Sequence, residues 1–207
     1  MRPDPAVATV ARGSTSDGER RVLDAMDALL AEGTSYTALD IGRITERGGI
    51  ARTSFYNTFP DKLTVLLTVL RPVVDQLFGV VDRWAGDPAA DAAGLRRTTL
   101  DVVAVYRDHA HLLGALAEAA TYEPRAAAFW QAHMEGVVGT FRRRIEEARR
   151  PQSGVDSTDS QAAAMWLAWG TERAIAHHVA AGGDLPDERF ADAIADNVWA
   201  TMTGHRR

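Results

Sequence analysis

Between Gly48 and Pro60 the chain carries Arg52, Thr53, Ser54, Tyr56 and Asn57 and no acidic residue. Side chains of these types bond base edges or phosphate oxygens, whereas a merely solvated helix face favours Glu and Lys. The chemistry on offer is recognition of a polyanion rather than a reaction. Reactive constellations are missing from the rest of the chain. Without Cys there are no disulfides, thiolate metal sites or cysteine nucleophile. No Gly-x-Ser-x-Gly, Gly-rich phosphate loop or His-Glu-x-x-His occurs, and none of the six His follows a Glu by three residues, as di-iron bundles require. His177 and His178 are adjacent and point apart, and His109 and His111 share no helix face. Asp101 and Glu118 read as solvated or paired charges. No catalytic residue, metal or cofactor is expected.

Such a polar set works only on a rigid mount. The Thr37 hydroxyl is placed to cap a helix start near Asp40, with Ile41 and Ile44 on one face and Arg43 and Arg47 on another. Gly48-Gly49 ends that helix in a left-handed conformation, and Ile50 plugs the turn. A second short helix, Arg52 to Thr58, then points Phe55 and Phe59 inward and its polar residues outward. Two short helices about a Gly turn make a helix-turn-helix. A preceding helix, Gly18 to Glu32, carries Val22, Met26, Leu29 and Leu30 on one stripe to pack across it. Residues 1–17, with Arg2 and Arg12, lack any period and read as a disordered arm, leaving 18–62 as the DNA-binding unit.

Pro60 is expected to open the next helix, whose stripe of Leu63, Leu66, Leu67, Leu70, Val74, Leu77 and Val81 runs to Trp84. Pro72 inside that run should kink or end it. After Gly86-Asp87-Pro88, helical segments follow at about 91–107, 109–121, 124–149, 159–181 and Pro186 to Thr203. The Pro151 to Asp156 loop and Gly182-Gly183 separate the last three. With no period-2 pattern the fold class is all-α: a three-helix reader plus a helical bundle, 63–207, for ligand binding and dimerisation.

The balance of 46% apolar and 25% charged residues over 207 positions suits one or two globular domains. The net charge of −5 does not favour nucleic acid, and the first 62 residues hold eight basic against nine acidic side chains. Within 43–62 the balance reverses, with Arg43, Arg47, Arg52 and Lys62 against Glu46 and Asp61. Met1-Arg2-Pro3-Asp4 opens no signal-peptide core, and no span is read as reaching the ~20 apolar residues of a membrane helix. A cytoplasmic protein without a membrane partner is expected.

The C-terminal part has bulky side chains at helical spacing: Leu95, Val102 and Tyr106, then Trp130, Met134, Val137 and Phe141, then Met165, Trp166 and Trp169. They fill an ordinary core or wall a small-molecule pocket, since aromatics offer large rigid area to a ligand. Thr171, Glu172 and Arg173 could orient such a ligand or form a surface polar cluster.

From Gly48 to Lys62 the chain resembles the signature of TetR-type transcriptional repressors, with Gly49, Ile50, Tyr56, Phe59 and Lys62 at that family's offsets. The resemblance implies that Thr37, Arg52, Thr53, Ser54, Tyr56, Asn57 and Lys62 face DNA, mostly its phosphates, with Arg52 through Asn57 nearest the bases. Gly48 stands where the family usually has Ala. Ala51 replaces a capping Ser or Asn, a bond worth ~1 kcal/mol. Ala128-Phe129-Trp130 with Met134, Thr171-Glu172-Arg173 and Asn197-Val198-Trp199 resemble the EthR-like subgroup. That implies an apolar tunnel lined by Leu95, Val102, Tyr106, Trp130, Met134, Val137, Thr171 and Trp199, and a homodimer through the last two helices. The Phe190, Ile194, Val198 and Met202 stripe and the Ala-rich 162–181 segment suit that contact. The expected function is a dimeric repressor released from palindromic operator DNA by a small apolar effector. The alternatives are a small-molecule binding protein with a degenerate reader and a helical enzyme acting inside the cavity.

Overall fold

The computed structural model describes residues 16–149, 157–182 and 185–204, which form helices and no strand. The helices are α1 (Asp17–Ala31), α2 (Ile41–Gly48), α3 (Arg52–Thr58), α4 (Lys62–Gly86), α5 (Ala92–Asp108), α6 (Ala110–Ala120), α7 (Pro124–Arg149), α8 (Ser157–Ala181) and α9 (Asp187–Thr203). The chain divides into two compact units, one ending at Thr68 and the other beginning at Val69. The arm read over 1–17 lies outside the described residues except for its last two. Ser16 caps α1, accepting from the Glu19 N–H at 3.1 Å while Glu19 accepts from the Ser16 N–H at 3.4 Å, and Asp17 is already helical. This reciprocal pair satisfies two otherwise orphaned donors. The Pro151 to Asp156 loop also lies outside the described residues.

In the first unit, Val22, Met26, Leu29 and Leu30 of α1 close over Ile44, Phe55 and Phe59, all buried. α2 approaches α1 closely where Gly48 sits: a Cβ there would lie 3.0 Å from the Arg21 carbonyl oxygen. In the second unit α7 packs mainly on α8 and α5 mainly on α9. Arg149 donates to the Thr201 and Met202 carbonyls at 2.6 and 3.2 Å, so a guanidinium seals the C-terminal end of α9.

Several expectations need correction. Thr37 does not cap α2. It sits exposed in the preceding turn, and the Asp40 carboxylate accepts from the Arg43 N–H at 2.8 Å. Pro60 lies ahead of α4 rather than in it; Asp61 accepts from the Thr64 N–H at 2.7 Å, so the helix starts at Lys62. Pro72 does not end α4. It lies on the exposed side, where water can take the carbonyl freed by the missing N–H. At 25 residues α4 is long and apolar enough to cross a membrane by length and composition, against the reading that no span reaches that length. Its Leu66, Leu70 and Val74 are wholly buried within the fold. Phe190, Val198 and Met202 of α9 are also buried inside the subunit, so this stripe does not supply a free dimer surface.

Candidate nucleic-acid interface and candidate ligand cavity

The reader is built from the turn outward. Gly49 adopts φ +61°, and its N–H bonds the Glu46 carbonyl at 3.2 Å while the Ile50 N–H bonds that of Thr45 at 3.0 Å. A non-Gly residue at that φ would crowd its Cβ against backbone. The turn delivers α3 with no side-chain cap at Ala51, as its residue type requires. Phe55 and Phe59, ring centroids 5.9 Å apart, are the two buried residues of the segment. Arg52, Thr53, Ser54, Tyr56 and Asn57 are all exposed, Tyr56 by 50% with its ring edge-on to Phe55 at 5.5 Å. A polar ridge thus stands on an aromatic anchor.

The surrounding charge is thinner than the sequence suggests. Arg47 grips both carboxylate oxygens of Glu32, at 2.5 and 3.2 Å. Arg43 reaches the Thr34 hydroxyl at 3.4 Å. Lys62, expected to face DNA, is turned inward: its Nζ donates to the Tyr36 and Leu39 carbonyls at 2.9 and 2.7 Å and lies 4.3 Å from the Tyr36 ring centroid. The ammonium holds the α1–α2 connection, where two carbonyls have no helical partner. Arg52 has no ion-pair partner among the described residues.

The second unit holds a partly open cavity of about 80 Å³ between α4, α5, α7 and α8. Of the expected lining, Leu95, Val102, Tyr106, Trp130, Met134, Val137 and Thr171 border it. Trp166, Trp169 and Trp199 do not. Trp166 and Trp169 are 65% and 36% exposed on the outer face of α8 with Met165 at 48%, and Trp199 packs half-buried against the core. Missing from the sequence reading are Leu77, Phe78, Val81 and Trp84, the wall that α4 contributes. Phe78 and Val137 also border an open groove of about 910 Å³ carrying Asp82, Arg143, Arg144 and Glu147.

Glu172 is the only charged side chain on the cavity wall among the described residues, and its side chain is 12% exposed. Its Oε1 accepts from the Tyr106 hydroxyl at 3.2 Å, which joins α8 to α5. Burial lifts the Tyr106 hydroxyl well above its ordinary value, and the Glu172 charge lifts it further, so the phenol stays a donor. Burial also raises the Glu172 carboxyl, opposed by Arg173 and by the Tyr106 bond. Away from the cavity, Asp187 at the start of α9 binds Arg107 of α5 at 2.6 and 3.0 Å and His178 of α8 at 2.8 Å. Arg107 first and His178 second hold the Asp187 carboxyl below the usual range. No group of three potential metal ligands occurs among the described residues.

No family model matches the chain. It is 26% identical over 194 residues to the HTH-type transcriptional regulator EthR of Mycobacterium tuberculosis, covering 92% of this chain and 89% of that protein. Its fold is similar to the TetR family transcriptional regulator PfmR from Thermus thermophilus, with a TM-score of 0.61 at 14% identity over 87% of this chain and 94% of that one. It is also similar to AibR in complex with isovaleryl coenzyme A and operator DNA, with a TM-score of 0.59 at 15% identity over 89% and 98% of the two chains.

Proposed function

We infer that this chain is a DNA-binding transcriptional regulator of the TetR type rather than an enzyme, as its likeness to EthR, PfmR and AibR supports, and that it acts as a homodimeric cytoplasmic repressor. The α3 ridge from Arg52 to Asn57 enters the major groove of each operator half-site, with Thr37 beside the backbone. Two such helices spaced by one DNA turn, ~34–36 Å, require a palindromic operator. The exposed polar ridge over buried Phe55 and Phe59 carries this reading. Its test begins with selecting DNA from a random pool with the full chain and continues with gel retardation of the selected duplex. Arg52→Ala should weaken binding at least ~tenfold, since each dimer loses two contacts, with dimer mass unchanged. Undiminished retardation by that variant rejects the ridge as the reader.

The dimer forms through the outer face of α8, where Met165, Trp166 and Trp169 expose apolar surface that a monomer gains nothing by hydrating. α9 joins that contact at its rim. A small, largely apolar effector occupies the cavity and releases the DNA. Drug-sized ligands need a pocket of ~300–1,000 Å³, so a cavity of about 80 Å³ must open to admit one. An effector that binds only the opened form shifts the population toward it, with a coupling of ~1–3 kcal/mol. AibR, with its complex of an acyl coenzyme A and operator DNA, supports one chain of this fold holding both ligand classes. A second reading, a small-molecule binder with a degenerate DNA unit, draws on the inward-turned Lys62 and the paired Arg47. A selection that enriches no sequence at all would favour it.

A further inference from the structure

The cavity is apolar on nearly every side, and that isolates its one carboxylate. Glu172 Oε1 receives the Tyr106 hydroxyl. Oε2 is buried and has no hydrogen-bond partner among the described residues. The nearest cation, Arg173 Nε, lies 4.0 Å away, beyond hydrogen-bond reach, on a side chain that is 75% exposed. None of the other polar groups on the wall reaches Oε2: they are the indole N–H groups of Trp84 and Trp130 and the hydroxyls of Thr98, Thr99, Tyr106 and Thr171. The Thr99 hydroxyl donates to the Leu95 carbonyl at 3.0 Å, and that of Tyr106 already serves Oε1. A buried acceptor left without a donor is costly, and a ligand that supplies one recovers that cost.

We propose that the effector is an apolar amine, protonated at neutral pH, whose N–H bonds Glu172 Oε2 while its hydrocarbon lies against Leu95, Val102, Trp130 and Met134. This rests on the cavity being the effector site. An ammonium offers both the missing donor and the countercharge. A neutral alcohol offers only the donor, and a carboxylate would set a second negative charge beside the first. The hydrocarbon adds apolar burial that is the same for all three head groups.

The test is calorimetric titration of the intact dimer at neutral pH with hexylamine, hexanol and hexanoate, which share one chain. Hexylamine should bind about tenfold or more tighter than hexanol, the gain expected of a charge-assisted hydrogen bond, and hexanoate weakest. Glu172→Gln should bring amine and alcohol to within about twofold while hexanol affinity stays put. The retained hexanol affinity shows that Glu172→Gln keeps its fold and its cavity. Hexanol binding with no amine preference overturns this assignment and leaves the cavity reading standing, as does a preference that survives Glu172→Gln. Failure of all three probes to bind overturns the cavity reading together with it.

Discussion

The two units of this chain handle polar groups in opposite ways. In the first, the core of Tyr36, Leu39, Ile44 and Phe55 is closed, each under 2% exposed, and the functional groups stand outside on α3. In the second, the candidate groups are inside, a carboxylate and a phenol on the wall of a space between helices. The first arrangement suits recognition of a large rigid polyanion, which needs side chains fixed by what lies behind them. The second suits a small molecule, which needs room and one or two orienting groups. A closed core and a core with space inside it therefore ask different things of packing, and this difference can be broken or sharpened by substitution.

The largest effect falls on the dense side. Phe55→Ala removes the anchor of α3 and should cost ~3–5 kcal/mol, abolishing DNA retardation and lowering the denaturation midpoint of the first unit. A loss below that of an ordinary surface substitution would show that α3 is not held from behind. Filling tests the contrast directly. Ile44→Phe overpacks a closed core and should cost ~1–3 kcal/mol. Val102→Phe adds more bulk than that, but beside open space, and should cost less than half as much while excluding hexanol from the cavity. Equal destabilisation by the two, read from urea midpoints, would remove the distinction between the units.

Much of this is legible in the sequence because the signals are local. The left-handed Gly49, the inward Phe55 and Phe59 and the outward Arg52 to Asn57 all follow from a few adjacent residues, and so does the uncapped Ala51. α8 shows where such reasoning stops. Its apolar residues run round the helix, with Ala164, Leu167 and Ala168 buried while Met165, Trp166 and Trp169 are exposed. One residue is ~100° of rotation on a helix, so a segment apolar on all sides does not say which face meets the core. Helical spacing alone therefore puts Trp166 and Trp169 in the cavity, and they lie outside it. The cavity itself is an absence of atoms set by four helices, and of its α4 wall Leu77, Val81 and Trp84 read as an ordinary apolar stripe while Phe78 falls outside that stripe. Lys62 is illegible for another reason: a long flexible side chain can reach phosphate or its own backbone, and only the fold of 36–39 decides.

That choice gives the next prediction in size. Lys62→Met keeps the stem but takes this donor from the Leu39 carbonyl and leaves the Tyr36 carbonyl with only the Leu39 N–H at 3.2 Å, so stability should fall by ~1–3 kcal/mol. The salt dependence of DNA binding should stay near that of the parent chain, because the ammonium makes no phosphate contact in this arrangement. A salt slope that drops by about two per dimer with unchanged stability would return Lys62 to the DNA face.

The smallest effect is a pH dependence on the hollow side, and its sign is fixed by the raised carboxyl of Glu172. A carboxyl whose folded value lies above its unfolded value binds its proton more tightly when folded. The folded state therefore loses stability as pH rises through the interval between the two values, and the loss is complete above the folded one. Gln at that position carries no charge at any pH and can still accept from Tyr106. Glu172→Gln should melt slightly higher than the parent chain at about pH 8 and at the same temperature near about pH 4, where the parent carboxyl is largely protonated. The gain is small because the side chain keeps some solvent contact and Arg173 lies nearby. A variant less stable than the parent at the higher pH would mean that the carboxylate is already satisfied in the empty cavity, and the ligand would then have no donor to supply.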